Sequence, residues 1–406
     1  MRVGIFILIQ LLILISSGIQ AQTAIPESLF TDDYSLNPED EGKLGFSIDN
    51  ISFFKNNETD GDIQKGYTLP GFRINPRLVY SPASMIRLEA GLSLLRYWGA
   101  DKYPNYAYQD IAEWKADGYQ YGFHILPFFR AQIQPAPQLN IVLGDIYGGS
   151  NHGLIEPLYN PELSYTADPE LGVQILYNSG VAHFDAWVNW ESFTFRNDTH
   201  NEAVNIGVSS CLHITNPQSS FYLGIPVQVL LAHRGGELDQ FVGEILTLVN
   251  GSAGLQFGFN SANPVFKSVT LNLMGAAYQS GSSKTDLLPF ERGWAFYSNL
   301  NFQIWKTNLK MAVWRSGDFI NILGNPVFGN TSITIDGRTF PRTLVLNPGL
   351  KYEQAFGKGF YLGADVEFFY NPELIAYHDK AIGQITKSFT WSTGLYLRIN
   401  PSIVLK

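Results

Sequence analysis

The 406-residue chain carries 27 Lys+Arg against 36 Asp+Glu, a formal net charge of −9 at pH 7, which argues against a nucleic-acid binder. A single cysteine, Cys211, excludes an internal disulfide and any Cys-based metal cluster. Aromatic residues make up 14% of the chain, yet apolar and polar residues balance so that mean hydropathy is near zero.

Arg2 precedes an apolar run from Val3 to Ile15, followed by Ser16-Ser17-Gly18-Ile19-Gln20-Ala21 and Gln22. A positive start, an apolar stretch and small residues describe a Sec-type signal peptide, expected at 1–21 with cleavage after Ala21. The run is too short for a spanning helix of about 20 residues, and no second one follows. The remainder divides into a short periplasmic segment, 22–41, and a membrane-embedded unit, 42–406.

Beyond residue 42 the dominant signal is alternation. Phe360, Leu362, Ala364, Val366, Phe368 and Tyr370 fall on one face, and Tyr361, Gly363, Asp365, Glu367 and Phe369 on the other. The last segment repeats this, with Phe389, Trp391, Thr393, Leu395, Leu397 and Ile399 against Thr390, Ser392, Gly394, Tyr396, Arg398 and Asn400. Trp294, Phe296, Leu300, Phe302 and Ile304 form a third such face, opposite Tyr297, Asn299, Asn301 and Gln303. Alternation lets lipid-facing and lumen-facing residues cancel in a hydropathy window.

Connection lengths alternate as well. Tight turns rich in Gly, Pro, Asn or Ser are expected at 81–84, 135–138, 178–180, 216–219, 261–264, 306–307 and 357–359. Longer polar loops are expected at 56–65, 99–118, 148–168, 194–202, 235–244, 280–292, 320–341 and 371–384. This plan describes an all-β, transmembrane, antiparallel up-and-down barrel of about 16 strands, with short periplasmic turns and long external loops. Tyr80, Tyr177, Phe221, Phe259, Trp305, Tyr352 and Phe360 would form one aromatic girdle at the tight-turn end. Tyr97, Trp98, Tyr121, Trp190, Tyr278, Trp294, Tyr370 and Trp391 would form the other.

On these features the chain resembles bacterial outer-membrane porins, across the whole mature length as architecture rather than through a sequence motif. Gln22 at the mature start resembles exported proteins of the Bacteroidetes. The terminal strand, Gly394 to Ile399, sits inside a short tail rather than ending the chain on an aromatic residue. The resemblance implies a bacterial outer-membrane location and a channel for passive diffusion of small polar or anionic solutes. Its implied partners are outer-membrane lipids, those solutes, the barrel-assembly machinery during biogenesis and a second copy of the chain in a homo-oligomer. No cofactor or metal is implied.

In sixteen-stranded porins the third long loop folds inward, and 148–168 holds that place. Its glycines, prolines and bulky apolar residues suit an ordered, packed loop; the alternative is an external loop folded over the mouth. Alternation turns Arg73, Arg77, Arg87, Glu89, His124 and Arg130 toward the lumen on the second to fourth strands. By resemblance to porins, Glu156 and Glu162 of the inward loop would supply acids opposite that basic ladder. These eight residues are the candidate constriction, although inward charges that merely fill the lumen would look alike.

Enzyme motifs are sparse. Ser209 and His213 share a face but lie about 13 Å apart along a strand. His183 and Asp185 lie about 7 Å apart, without a nucleophile beside them. No phosphate-binding loop, metalloprotease motif or nucleophile elbow occurs, and the expectation is a non-enzymatic protein. The alternatives are a plugged barrel serving adhesion or assembly, through loops such as 103–108 and 320–341, or an outer-membrane hydrolase. The 22–41 segment is too short for the soluble plug of an energy-coupled transporter.

Overall fold

A computed structural model describes residues 27–98, 123–193, 202–235, 245–281, 288–335, 337–357, 359–378 and 381–405. The expected signal peptide, most of the 99–118 loop and the 103–108 contact stretch lie outside the described residues.

The strands run in chain order as β1 (Leu44–Asp60), β2 (Tyr67–Ala83), β3 (Ile86–Tyr97), β4 (Phe123–Ala136), β5 (Leu139–Asp145) and β6 (Leu171–Asn178). They continue as β7 (Ala182–Ser192), β8 (Ala203–His213), β9 (Phe221–Arg234), β10 (Leu246–Asn260), β11 (Phe266–Ser280) and β12 (Arg292–Ile304). Last come β13 (Thr307–Gly317), β14 (Arg338–Thr339), β15 (Arg342–Gly357), β16 (Phe360–His378), β17 (Ala381–Ile399) and β18 (Ser402–Val404). Every pairing is antiparallel, and β1 pairs with both β2 and β17, so the sheet closes on itself. Among the described residues, β14 and β18 are short additions to a closed wall of 16 strands. Closure pairs the wall strands' backbone groups with one another, apart from local bulges, as a strand needs in order to cross hydrocarbon.

All seven expected tight turns join consecutive wall strands on the side of both chain ends. One expected loop is largely strand. The stretch 371–384 is mostly strand, because β16 and β17 run on past the wall as a hairpin paired out to His378↔Ala381. Leu374 and Ala376 face inward there and pack with Ile63 and Phe340, so alternation persists where Pro372 and the polar composition suggested a loop.

Outward positions carry exposed apolar side chains, among them Leu78, Ile125, Phe129, Met311 and Leu395, as a lipid-facing band requires. Tyr80, Phe221, Trp305 and Phe360 are exposed at the periplasmic end and Trp98, Trp294 and Tyr370 at the other. Tyr97 and Tyr278, expected in the outer girdle, instead point inward and are buried.

They point inward because the lumen holds an apolar core. Three segments fill it: 29–34, 146–170 and 318–341. Leu29, Phe30, Leu154, Leu158, Leu163, Phe319, Leu323 and Phe328 are buried against wall residues such as Ile51, Leu95, Trp187, Tyr297, Trp314 and Phe369. Of the 22–41 segment expected to be periplasmic, residues 29–34 reach into the barrel, while the turn Pro38–Asp40 buries nothing.

Buried loops must still satisfy their peptide groups. Three wall amides do this by offering a carbonyl and an NH2 together, as a neighbouring strand would. Gln174 receives Tyr147 N (2.9 Å) and donates to Tyr147 O (3.0 Å). Gln228 receives Ile155 N (3.0 Å) and donates to Gly153 O (2.9 Å). Asn250 receives Ile322 N (2.9 Å) and donates to Ile320 O (2.8 Å). The two inward loops also bond to one another, Asn160 N donating to Leu323 O at 2.7 Å.

Candidate functional site

The inward loop after β5 opens with Gly148-Gly149 and a short 3-10 turn, Gly149–His152, closed by Gly153 in the left-handed region at φ 62°. Glycine is the residue that tolerates this conformation. The turn drives His152 into the lumen, where it is fully buried and stacked on Trp187 at 3.5 Å. His152 donates from Nδ1 to Asp185 Oδ2 (2.7 Å) and from Nε2 to Glu170 Oε2 (3.0 Å). Burial alone would favour neutral imidazole, but Glu170 and Asp185 outweigh it and raise the His152 pKa to about 9. Asp185, paired with His183 by sequence spacing, thus has its partner on the loop.

The expected basic ladder comes together in part. Glu89 Oε2 lies 3.1 Å from Arg77 and 3.7 Å from Arg130, and Glu89 Oε1 lies 2.9 Å from Arg87. Arg130 also donates to the carbonyls of Asp145 (2.6 Å) and Ile146 (3.1 Å) and lies 3.9 Å over the Tyr147 ring. The acid that gathers these arginines is therefore on the wall. Glu156 instead meets Lys310 at 2.8 Å, which also holds Glu367 at 2.6 Å. Glu162 accepts from Tyr67 Oη (2.7 Å) and Asn57 Nδ2 (3.1 Å).

Arg73 lines a cavity of about 70 Å³ together with Asp32, Asp49, Arg77, Arg130 and Arg398. Arg398 reaches Asp32 (2.6 Å) and Asp49 (2.9 Å). Burial would raise the Asp32 carboxyl, but Arg398, aided by Arg130 and Arg77, holds it well below the usual carboxylate range. His124, at the extracellular end of β4, places Nδ1 2.8 Å from Asp168 Oδ1; the two side chains are 9% and 19% exposed. A carboxylate on one ring nitrogen orients the imidazole and fixes its tautomer.

Asp32, Asp49, His152, Glu170 and Lys310 escaped the sequence reading, and Glu367 and Arg398, placed on the inward faces, were not counted as site residues. Strand parity alone places Lys310, Glu367 and Arg398 inward and could have found them. Nothing local marks His152 or Asp32, whose positions depend on how the inward segments dock. Among the described residues no group of His, Cys, Asp and Glu has the arrangement of a metal site.

The family described as lipid A 3′-O-deacylase-type matches residues 36–406. That match overturns the expectation of a non-enzymatic protein, because the family is named for an ester-cleaving activity. Motif reading carried no sign of such an activity, since residues such as His124 and Asp168, 44 positions apart, meet only in the fold. No curated protein matches the chain. Similar solved structures include OpdL of Pseudomonas aeruginosa, at 10% identity and TM-score 0.47, over 89% of this chain and 99% of that one. OprD of Pseudomonas aeruginosa has 9% identity and TM-score 0.49, over 90% and 97%. An anion-selective porin from Comamonas acidovorans has 9% identity and TM-score 0.45, over 88% and 100%.

Proposed function

Since the chain belongs to the lipid A 3′-O-deacylase-type family, we propose that this porin-like outer-membrane barrel hydrolyses an acyl ester of a lipid A-type glycolipid. The carrying observation is the family match over 36–406. The packed lumen agrees with it, since inward loops and residues 29–34 occupy the space that an open channel would leave to solvent.

The His124–Asp168 pair is the candidate base. Asp168 orients the imidazole; the other ring nitrogen, Nε2, takes a proton from water as its oxygen attacks the ester carbonyl. The tetrahedral intermediate collapses with loss of the sugar oxygen, which leaves as a hydroxyl once the imidazolium returns the proton. The products are a free fatty acid and a glycolipid short of one acyl chain. Placement at the extracellular end suits a substrate whose sugar lies at the outer-leaflet surface. The test is mass spectrometry of glycolipid from cells producing the protein. Loss of one acyl chain is expected, with no loss from cells producing His124→Gln at equal level; an unaltered lipid in both overturns the reading.

A second reading, passage of small anions, is favoured by one observation: Arg77, Arg87 and Arg130 share the single carboxylate of Glu89. Under it, Arg73, Arg77, Arg87, Glu89, His124, Arg130, Glu156 and Glu162 would border the permeation path.

A further inference from the structure

On the outer surface, three arginines break the apolar band at its extracellular edge. Arg292 begins β12, Arg315 stands two residues before the end of β13, and Arg342 begins β15. All three are exposed and lie on the lipid-facing side, sharing it with Trp294, Phe296 and Leu346.

The register sets their spacing. Trp294, Gly317 and Arg342 form one row across β12, β13 and β15; Phe296, Arg315 and Leu344 form the next row toward the membrane. Arg315 and Arg342 are therefore diagonal neighbours, about 7–8 Å apart at the backbone. Arg292 stands one step above Trp294 on the same face. A side chain at Gly317 would come within 2.7 Å of Trp294 Nε1 and 3.0 Å of Cε2. The indole thus reaches over Gly317, in the row that ends at Arg342.

None of the three arginines forms an ion pair among the described residues. The facing acids are Glu291, next to Arg292, and Asp318, close enough to Arg342 to feel its charge. Both are at the outer margin, so the surface toward the membrane is net positive. Arginine near the interface costs about 0–1 kcal/mol, far less than at the midplane. Here it faces the headgroup layer, and among the described residues no acceptor bonds its donors. Guanidinium donors match phosphate oxygens in geometry and charge.

We propose that Arg292, Arg315, Arg342 and Trp294 form an outward cradle for the phosphate-bearing headgroup of an outer-leaflet glycolipid. The arginines hold the phosphate, and the indole offers an apolar face to the attached sugar. The cradle lies across the barrel from His124, about eight strands round the wall, so it goes beyond the function proposed above as a separate lipid-binding place and rests on that function only for the glycolipid's identity. The cradle is on the membrane side of the wall, where such a lipid arrives by lateral diffusion.

The full-length protein in detergent micelles is titrated with diphosphorylated lipid A and with its dephosphorylated form, and retained lipid is read by native mass spectrometry. The phosphorylated form should bind at least about tenfold more tightly. Arg315→Gln with Arg342→Gln should abolish that preference, and Arg315→Lys with Arg342→Lys should restore part of it. Heat-modified gel mobility reports folding of each variant. Equal binding of both lipids by the parent protein, or an unchanged preference in the folded glutamine variant, overturns the cradle. Displacement by millimolar inorganic phosphate overturns its assignment to a membrane lipid. Hydrolysis of a phosphate-free, short-chain ester is followed in parallel. Loss of that activity bears on the hydrolase reading alone, so the two failures remain distinct.

Discussion

His152, carried on a loop, sets Nδ1 2.7 Å from Asp185 Oδ2 on the barrel wall. This contact fastens the inward loop beside β7. The buried imidazolium is compensated on both sides, by Asp185 and by Glu170. Removing one member of such a group leaves buried charge behind, which typically costs about 3–5 kcal/mol. His152→Ala should lower stability to urea in detergent by that order, with the barrel still forming.

The same group predicts a pH dependence. Its folded pKa is raised from 6.5 to about 9, so folding favours the protonated form. The stabilisation is complete below about pH 6.5 and is lost as pH rises through about 9, amounting to about 3 kcal/mol. Urea midpoints from pH 6 to 10 should fall for the parent protein over this window, and His152→Asn should flatten that part of the profile.

Trp187 stacks on His152 and also covers Gly207, where a side-chain carbon would come within 2.0 Å of the indole. Gly207→Ala should displace the indole and loosen the stack. Near-ultraviolet circular dichroism is expected to lose tryptophan intensity while the far-ultraviolet strand signal persists.

The barrel wall was legible because its signal is local: period-two alternation and seven tight turns need only neighbouring residues. The contents of the barrel were not. Lys310 meets Glu156 across 154 positions and Arg398 meets Asp32 across 366, contacts that follow from how three segments dock. The porin resemblance set Glu156 and Glu162 against the arginines, because it supplied the loop's place in the chain without its docking. Tyr97 and Tyr278 were assigned to lipid because an aromatic inside a barrel is expected only when the lumen holds an apolar core. The 148–168 loop was partly readable, its glycines and prolines marking an ordered path. His124 was placed inward correctly, but Asp168 lies 44 positions away, so no motif joined them.

Lys310 bridges Glu156 and Glu367, both buried. Lys310→Met should destabilise by about 3–5 kcal/mol, since two carboxylates lose their shared cation. Adding Glu156→Gln to it should recover part of the loss, and a double-mutant cycle from urea denaturation reads the coupling.

Glu89 is the shared acid of the arginine group, which gives the small-anion reading a test with a sign. In planar bilayers, Arg77→Ser with Arg130→Ser should move the reversal potential toward cations, and Glu89→Gln toward anions. Unchanged selectivity in both, or silence from the parent barrel, removes that reading.

Hydrolysis by an outer-membrane barrel is tested most directly by the fate of oxygen. Purified protein is incubated with lipid A in water enriched in heavy oxygen, and both products are weighed by mass spectrometry. Water attack at the ester carbonyl predicts heavy oxygen in the released fatty acid and none in the new sugar hydroxyl, with release abolished by His124→Gln. No fatty acid from the folded parent protein, or label in the glycolipid instead, would contradict the account.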